Sequence, residues 1–274
     1  MKRALVLGGG GPVGIGWEAG LAAGLASGGV SVATADLLVG TSAGSVVGAV
    51  LATGIDPMGL LASQQKQTAT VDAAKRQAPP DLQAMFARWN GVQRTPAILR
   101  EIGAMSLSAR TQSEGEWLGL FEHWLGHVQW PDRDLLITAI DTSSGEFTVW
   151  SREAGVPLAK AVASSCAVPG VFPPVTIKGN RYMDGGFRTN TNADLAVGAD
   201  RVLVVNPSGR TPSLEQEMEQ LTAGGATIEV IGPDEGTREA AGQNWMDESR
   251  TAVAAMAGFR QGKSLAKGLK EFWC

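Results

Sequence analysis

The 274-residue chain lacks several features that would assign it to a specialised class of protein. Its two cysteines, Cys166 and Cys274, are too few for a disulfide framework. No apolar run reaches the roughly 18 residues that a transmembrane helix requires. The apolar run after the basic start stops at Gly8, too early for the apolar core of a signal peptide. We therefore expect an intracellular, cytoplasmic protein.

Positive charge and histidine are also scarce. The formal net charge is −4, which argues against non-specific nucleic-acid binding because that function needs a basic face. The two histidines, His123 and His127, lie four positions apart, a spacing that zinc ligands on a helix share. Glu122 precedes His123 instead of following it, so the H-E-x-x-H order is absent. We expect neither a metal site nor a cofactor.

Glycine is abundant, with 36 residues, and the first cluster forms the stretch "LVLGGGGPVGIGWEAG". Gly9, Gly11 and Gly14 fit the G-x-G-x-x-G fingerprint of dinucleotide sites. The same turn between a strand and a helix can instead hold an oxyanion on backbone N–H groups. Asp36 lies near the spacing of a ribose-binding acid but precedes its apolar run. The loop alone leaves a nucleotide-binding, Rossmann-like protein as an alternative.

The second glycine cluster is "LLVGTSAGS", residues 37–45, and it contains G-x-S-x-G between a predicted strand and a helix of small residues. This is the context of a nucleophile elbow. A sharp turn there strains the backbone of the serine and requires small neighbours. The following helix N-terminus places partial positive charge beside the serine oxygen. The pattern predicts Ser42 as a nucleophile.

A nucleophilic serine needs a base, and both histidines follow Ser42 inside a helical region, an order that the familiar triads do not use. Asp184 is the better candidate because two glycines follow it in "YMDGG" and let another segment approach. We predict a Ser42–Asp184 dyad. The predicted oxyanion hole consists of the N–H groups of Gly9, Gly10, Gly11 and Ala43.

The order of predicted elements indicates an α/β fold with a mostly parallel sheet. Strand, tight turn and helix occur twice within the first 55 residues, and strand signals return at 134–140, 146–151 and beyond. Residues from about 56 to 131 are predicted to be a helical insert, and a helical tail begins at about 235. One domain over 1–274 is the simplest organisation. The basic, amphipathic end of the tail can lie on a membrane surface or pack on the domain.

Three blocks together resemble the patatin-like phospholipases. They are "LVLGGGGPVGIGWEAGL", "GTSAGS" and "AVASSCAVPGVFPPVTIKGNRYMDGGFRTN" followed by "GADRVLVVN". The resemblance covers roughly residues 4–55 and 134–206. It implies a three-layer α/β/α fold and a lipid acyl hydrolase that uses Ser42 and Asp184 without a metal. A lipid ester substrate and peripheral membrane contact belong to the same expectation.

Two positions depart from the family pattern. Val13 stands where the family usually has a basic residue, and no proline follows Asn190 in "RTNTNADLA". These departures make ester hydrolysis a firmer expectation than phospholipid specificity. A soluble carboxylesterase or thioesterase with the same dyad, or a silent lipid-binding relative, remains an alternative.

Overall fold

The computed structural model describes residues 1–59, 89, 91–125 and 128–274. Its strands are β1 Arg3–Leu7, β2 Leu37–Gly40, β3 Asp134–Asp141, β4 Phe147–Trp150, β5 Val175–Ile177, β6 Asn180–Asp184, β7 Arg201–Val205 and β8 Thr227–Ile231. They form one sheet in the order β5-β6-β3-β2-β1-β7-β8, with β4 paired to β3. Five neighbouring strands, β3, β2, β1, β7 and β8, are parallel to one another. The pairs β3–β4, β3–β6 and β5–β6 are antiparallel. The prediction of a mostly parallel sheet is confirmed.

The helices of the described residues are α1 Gly11–Ser27, α2 Ala43–Thr53, α3 Pro96–Ser108, α4 Glu114–Leu125, α5 Leu158–Ser165, α6 Pro212–Ala223, α7 Glu235–Ala241 and α8 Thr251–Trp273. Helix α1 begins at Gly11, and Pro12 occupies its first turn, where a missing N–H costs nothing. Helix α6 was not predicted, since its sequence is mostly polar. Thr211 caps it by accepting the Leu214 N–H at 3.2 Å.

Side chains alternate across the parallel strands and create two cores. Leu5, Leu7 and Leu38 face a layer that contains α1, α2, α5 and α8. Val6 and Val39 face the opposite layer, where Leu214 and Leu221 of α6 cover them. Because both faces of the sheet are covered, its inner strands are apolar throughout, as parallel strands usually are. The predicted three-layer α/β/α architecture is confirmed.

Helices α1 and α8 run side by side in the same direction. A Cβ on Gly16 would lie 2.3 Å from the Thr251 carbonyl oxygen, and one on Gly28 would lie 2.3 Å from the Ala266 Cβ, so only glycine permits this approach. The apolar face of α8 therefore packs on the domain, with Trp273 buried. Its exposed lysines lie toward the end that is remote from the glycine loop. The predicted tail from about 235 is interrupted between α7 and α8.

Two of the described helices, α3 and α4, fall in the predicted helical insert. Trp117 of α4 stacks on Phe172 with ring centroids 4.0 Å apart, so it is a core residue. His127 and the prolines at 79 and 80 lie outside the described residues. Among the described helices, none combines the length and apolar character needed to cross a membrane.

Candidate active site

Ser42 occupies the turn between β2 and α2 with φ 52° and ψ −118°, a conformation that non-glycine residues rarely adopt. The turn is tight because a Cβ on Gly44 would lie 2.1 Å from the Leu7 carbonyl oxygen. Strain of this kind persists only where the surroundings hold it. The strained geometry predicted for a nucleophile elbow is therefore present at Ser42.

The backbone of Ser42 is fixed by hydrogen bonds with three neighbouring residues. Its N–H donates to the Ser165 Oγ at 2.9 Å. Its carbonyl oxygen accepts from the Ser45 hydroxyl at 2.7 Å and from the Cys166 thiol at 3.2 Å. Burial and the nearby Asp184 carboxylate raise the pKa of that thiol, so Cys166 stays protonated and acts as a donor. Both backbone polar groups are occupied, which leaves the side chain for chemistry.

Strand pairing brings Asp184 to Ser42. Gly40 at the end of β2 pairs with Ile137 of β3, and Asp184 at the end of β6 pairs with Ala139, two residues further along β3. Asp184 is 3 % exposed. Burial raises its pKa to about 7, while hydrogen bonds from the Ser42 hydroxyl and the Gly186 N–H oppose that rise. The two predicted dyad residues are thus in contact, and the carboxyl group is poised to exchange a proton near neutral pH.

The loop after Asp184 is tied to the elbow through buried polar side chains. Asn192 donates to the Thr41 hydroxyl at 3.0 Å, and Thr41 contacts the Thr138 hydroxyl at 2.9 Å. Glu217 of α6 accepts from the Thr191 hydroxyl at 2.5 Å and from the Ala193 N–H at 3.1 Å. Asn192 thus occupies the region where the family pattern has a proline, and its side chain supplies a direct link to the elbow.

The glycine loop lies beside Ser42, but its N–H groups are not equivalent. The Gly9 N–H donates to the Asn190 carbonyl at 3.0 Å, and the Asn190 side chain donates to the Gly9 carbonyl at 2.9 Å. Among the described residues, no hydrogen bond engages the N–H of Gly10, Gly11 or Ala43. Gly9, predicted as an oxyanion donor, therefore has its N–H occupied. The three other predicted donors have theirs available.

Residues from the C-terminal part of the chain hold the glycine loop from its other side. The Val13 N–H donates to the Trp245 carbonyl at 3.2 Å. Gly11 has φ 59°, and a Cβ there would lie 2.7 Å from the Trp245 oxygen and from the Met246 sulfur. A Cβ on Gly10 would lie 2.6 Å from the Pro207 ring. The loop is thus clamped between residues that follow β7 and residues that precede α8.

A second buried carboxyl group lies under this loop. Glu18 of α1 is 1 % exposed, and neither of its oxygens has a hydrogen-bond partner among the described residues. The nearby Gly8 N–H donates to the Val205 carbonyl at 2.9 Å. Burial raises the pKa of Glu18 well above its usual range, and the nearby Gly8 backbone opposes that rise. Glu18 is therefore a core residue whose neutral form is favoured by burial, and the sequence interpretation did not single it out.

The alternative sites from the sequence do not assemble. Asp36 lies before β2, at the opposite end of the strand from the glycine loop, where it accepts from the Arg3 N–H at 2.7 Å. It cannot bind the ribose of a nucleotide held at that loop. His123 is exposed, and its predicted partner His127 lies outside the described residues. Within the described ranges, no cluster of three or more His, Cys, Asp or Glu side chains could bind a metal.

Comparison with known families agrees with this geometry. A family model described as patatin-like phospholipase matches residues 5–197, more than half of the chain. The chain belongs to the patatin-like phospholipase family. This membership places it in a family of lipid-acting hydrolases. The Val13 departure is accommodated within this patatin-like fold, because the Val13 side chain is fully buried.

Solved structures of similar patatin-like proteins are larger than this chain. VipD from Legionella pneumophila is 15% identical with a TM-score of 0.45, and the alignment covers 97% of this chain and 67% of VipD. The ExoU–SpcU complex of the Pseudomonas aeruginosa type III secretion system gives 16% identity and a TM-score of 0.45, covering 100% of this chain and 52% of that chain. This chain thus spans about half the length of the latter protein. A search of curated proteins finds no match.

Proposed function

We propose that the protein is a serine acyl hydrolase that cleaves carboxylic ester bonds of lipids through Ser42 and Asp184. The observation that supports it most directly is the strained, buried Ser42 beside the Asp184 carboxyl group, at the end of the sheet where the glycine loop lies. Membership in a family of lipid-acting hydrolases supports the lipid substrate. The available N–H groups of Gly10, Gly11 and Ala43 would form the oxyanion hole.

In the first half of the reaction, the Ser42 Oγ attacks the ester carbonyl carbon while Asp184 accepts the hydroxyl proton. The carbonyl oxygen becomes negative and is stabilised by the three N–H donors, each worth about 100- to 1000-fold in rate. Collapse of this intermediate breaks the ester C–O bond, and Asp184 returns the proton to the leaving alcohol. The acyl group is now bonded to Ser42.

In the second half, Asp184 takes a proton from a water molecule, whose oxygen attacks the acyl carbon. Collapse releases the fatty acid and returns the proton to Ser42. A base works best when its pKa lies near the operating pH, and burial gives Asp184 a pKa of about 7. In this mechanism Asn190 is a positioning residue, because its two hydrogen bonds fix the Gly9 peptide and thereby aim the next two N–H groups.

Active-site labelling tests the dyad. The wild-type protein is treated with a fluorophosphonate probe, and the labelled residue is mapped by mass spectrometry. We expect label on Ser42, none in Ser42→Ala and slow labelling in Asp184→Asn. Ser249→Ala removes an exposed serine and serves as the matched control with unchanged labelling. A folded wild type that takes no label on Ser42 would refute the proposal.

Substrate presentation separates lipids from soluble esters. Hydrolysis of one ester series is followed below and above the critical micelle concentration. We expect the rate to rise steeply above it if lipid is the substrate. A rate that saturates on short, monomeric esters with no such rise would indicate the soluble carboxylesterase or thioesterase alternative.

A further inference from the structure

Asn192 has an unusual backbone conformation for a residue that carries a side chain. Its φ is 50° and its ψ is 40°, and among the described non-glycine residues only Ser42 and Lys178 share a positive φ. Asparagine tolerates this left-handed region better than most residues. Proline, which the family pattern has at this position, is locked near a φ of about −65°. A proline could therefore not adopt the backbone that this chain has at residue 192.

The side-chain amide of Asn192 is fully buried, and a charged neighbour fixes its orientation. Its Oδ1 accepts from the Nη1 of Arg188 at 2.8 Å. Arg188 is itself held by Asp194, whose two carboxylate oxygens accept at 2.9 and 2.6 Å. Because a guanidinium group has only donors, it faces the oxygen of the amide, and the Nδ2 points the other way. A charged donor on the oxygen also strengthens the donors of the same amide.

The Nδ2 of Asn192 hydrogen-bonds to both turns that carry the predicted dyad. It lies 3.0 Å from the hydroxyl oxygen of Thr41, the residue before Ser42 in the elbow. It also lies 3.3 Å from the carbonyl oxygen of Gly185, the residue after Asp184. One amide group thus contacts the neighbour of the nucleophile and the neighbour of the base.

These two turns come from strands that do not pair with each other. Strands β2 and β6 both pair with β3, which lies between them. Thr138 of β3 fills part of this space, because its hydroxyl oxygen lies 2.9 Å from the Thr41 hydroxyl and a Cβ on Gly185 would lie 2.3 Å from it. Strand pairing sets the register of β2 and β6, but the turns begin where these strands end. The separation of the turns therefore depends on the side chains that link them.

We propose that Asn192 is a positioning residue that holds the elbow and the turn after Asp184 at the separation that the Ser42–Asp184 hydrogen bond needs. This inference rests on the proposed function, because it assumes that Ser42 and Asp184 act as a dyad. Among the hydrogen bonds of the described residues, none joins the amide to Ser42 or Asp184 itself. Its effect is transmitted through Thr41 and Gly185.

Asn192→Gly tests the amide, because glycine keeps the left-handed backbone and removes the side chain. The second-order rate constant for fluorophosphonate labelling of Ser42 is measured for the variant and the wild type. We expect a loss of roughly 10- to 100-fold, since a misplacement of about 1 Å can cost about 100-fold in rate. Asn192→Ala removes the same amide and strains the backbone, so it should label no faster than the glycine variant. Labelling of Asn192→Gly at the wild-type rate would overturn the proposal.

The pH profile of labelling separates positioning from a purely structural role. Burial raises the pKa of Asp184 to about 7, and the hydrogen bond from the Ser42 hydroxyl lowers it. A weaker hydrogen bond in Asn192→Gly should therefore move the midpoint of the acid limb to a higher pH than in the wild type. Cys166 is the other titratable group that interacts with Asp184, and burial raises the pKa of its thiol. A slower rate with an unchanged midpoint would overturn the proposal.

Thr191→Val is the matched control, because Thr191 is buried in the same loop and its hydroxyl donates to Glu217 of α6 instead of to the elbow. The variant should be less stable but should keep the midpoint of the wild type. Burial also raises the pKa of Glu217. A midpoint that moves in Thr191→Val and not in Asn192→Gly would assign the acid limb to Glu217 and overturn the proposal.

Infrared titration measures the pKa of Asp184 without a reaction, using the carboxyl band that Asp184→Asn lacks. We expect a higher pKa in Asn192→Gly than in the wild type. The same pKa in both proteins would overturn the positioning role. A wild type that takes no label on Ser42 would refute the proposed function, while this titration still decided whether Asn192 sets the hydrogen bond to Asp184.

Discussion

Asp184 and Glu18 are both carboxyl groups buried near the glycine loop, and burial raises the pKa of both. They differ in their hydrogen-bond partners. Asp184 receives hydrogen bonds from the Ser42 hydroxyl and the Gly186 N–H, which hold its pKa near 7. Glu18 has no side-chain partner among the described residues. Two donors limit the rise in the pKa of Asp184, whereas burial raises the pKa of Glu18 with only the Gly8 backbone opposing it.

This contrast shows that burial alone does not make a catalytic base. A base must be able to lose its proton at the working pH, and that requires local donors that stabilise the anion. The Ser42 hydroxyl and the Gly186 N–H supply these donors to Asp184, whereas only the Gly8 backbone opposes the effect of burial on the pKa of Glu18. Four measurements can break or sharpen the distinction.

Asp184→Asn should give the largest effect. Removal of a general base lowers turnover by about 100- to 10,000-fold, and we expect a loss in that range in kcat for a lipid ester. Glu18→Gln is the matched carboxyl-to-amide control and should retain activity. Equal losses in the two variants would contradict the distinction.

The pH dependence of kcat/KM should follow Asp184 in the wild type. The base must be ionised, so activity should fall below pH 7 by about tenfold per pH unit once Asp184 is protonated. The acid limb should have its midpoint at about 7. Glu18→Gln should leave that midpoint in place. A limb that moves in Glu18→Gln would show that Glu18 and Asp184 are coupled.

Asp184→Asn should also stabilise the fold. The ordinary pKa of aspartate is about 3.9, so between about pH 4 and 7 native Asp184 keeps a proton that the unfolded chain has lost. The free energy of unfolding of the wild type therefore falls as pH rises through that window. The variant should be more stable by on the order of a few kcal/mol above pH 7 and by little below pH 4. Urea unfolding at a series of pH values measures this difference, and a gain that does not vary with pH would exclude its ionic origin.

Glu18→Gln should have the smallest effect on catalysis, with kcat and KM within about twofold of wild type, as for substitutions that leave the site untouched. The ordinary pKa of glutamate is about 4.3. Above that pH the stability of the variant should depend less on pH than the stability of the wild type, because the variant lacks the group whose pKa is raised in the native state. Thermal unfolding between pH 4 and 9 measures it. An unchanged pH dependence of stability would mean that the pKa of Glu18 is not raised in the native state.

Much of the site could be predicted because its chemistry depends on local patterns. Gly40, Ser42 and Gly44 specify a turn whatever surrounds them, and the glycines after Asp184 mark a close approach. The contact between Ser42 and Asp184 follows from the pairing of β2 and β6 with β3, which the sequence does not reveal. The hydrogen bond that occupies the Gly9 N–H depends on Asn190, more than 180 residues away.

The rest could not be predicted because it depends on tertiary packing. Trp245 has no motif around it, yet its carbonyl accepts the Val13 N–H. The polar helix α6 lacks a strong apolar stripe and was missed, although it carries Glu217. Ser165 and Cys166 hydrogen-bond to the backbone of Ser42. In the sequence they stand in "ASSCAVPG", where only their small size and their nearness to Pro169 set them apart.

The packing of α8 on α1 has a consequence for folding during synthesis. More than 200 residues separate these helices in the sequence, and such distant contacts slow folding because a long loop must close first. The indole N–H of Trp17 in α1 donates to the side-chain oxygen of Gln261 in α8 at 2.9 Å. The glycine-lined face of α1 therefore stays open on the ribosome until residues 251–273 emerge. A nascent chain halted before that point would present this surface to chaperones.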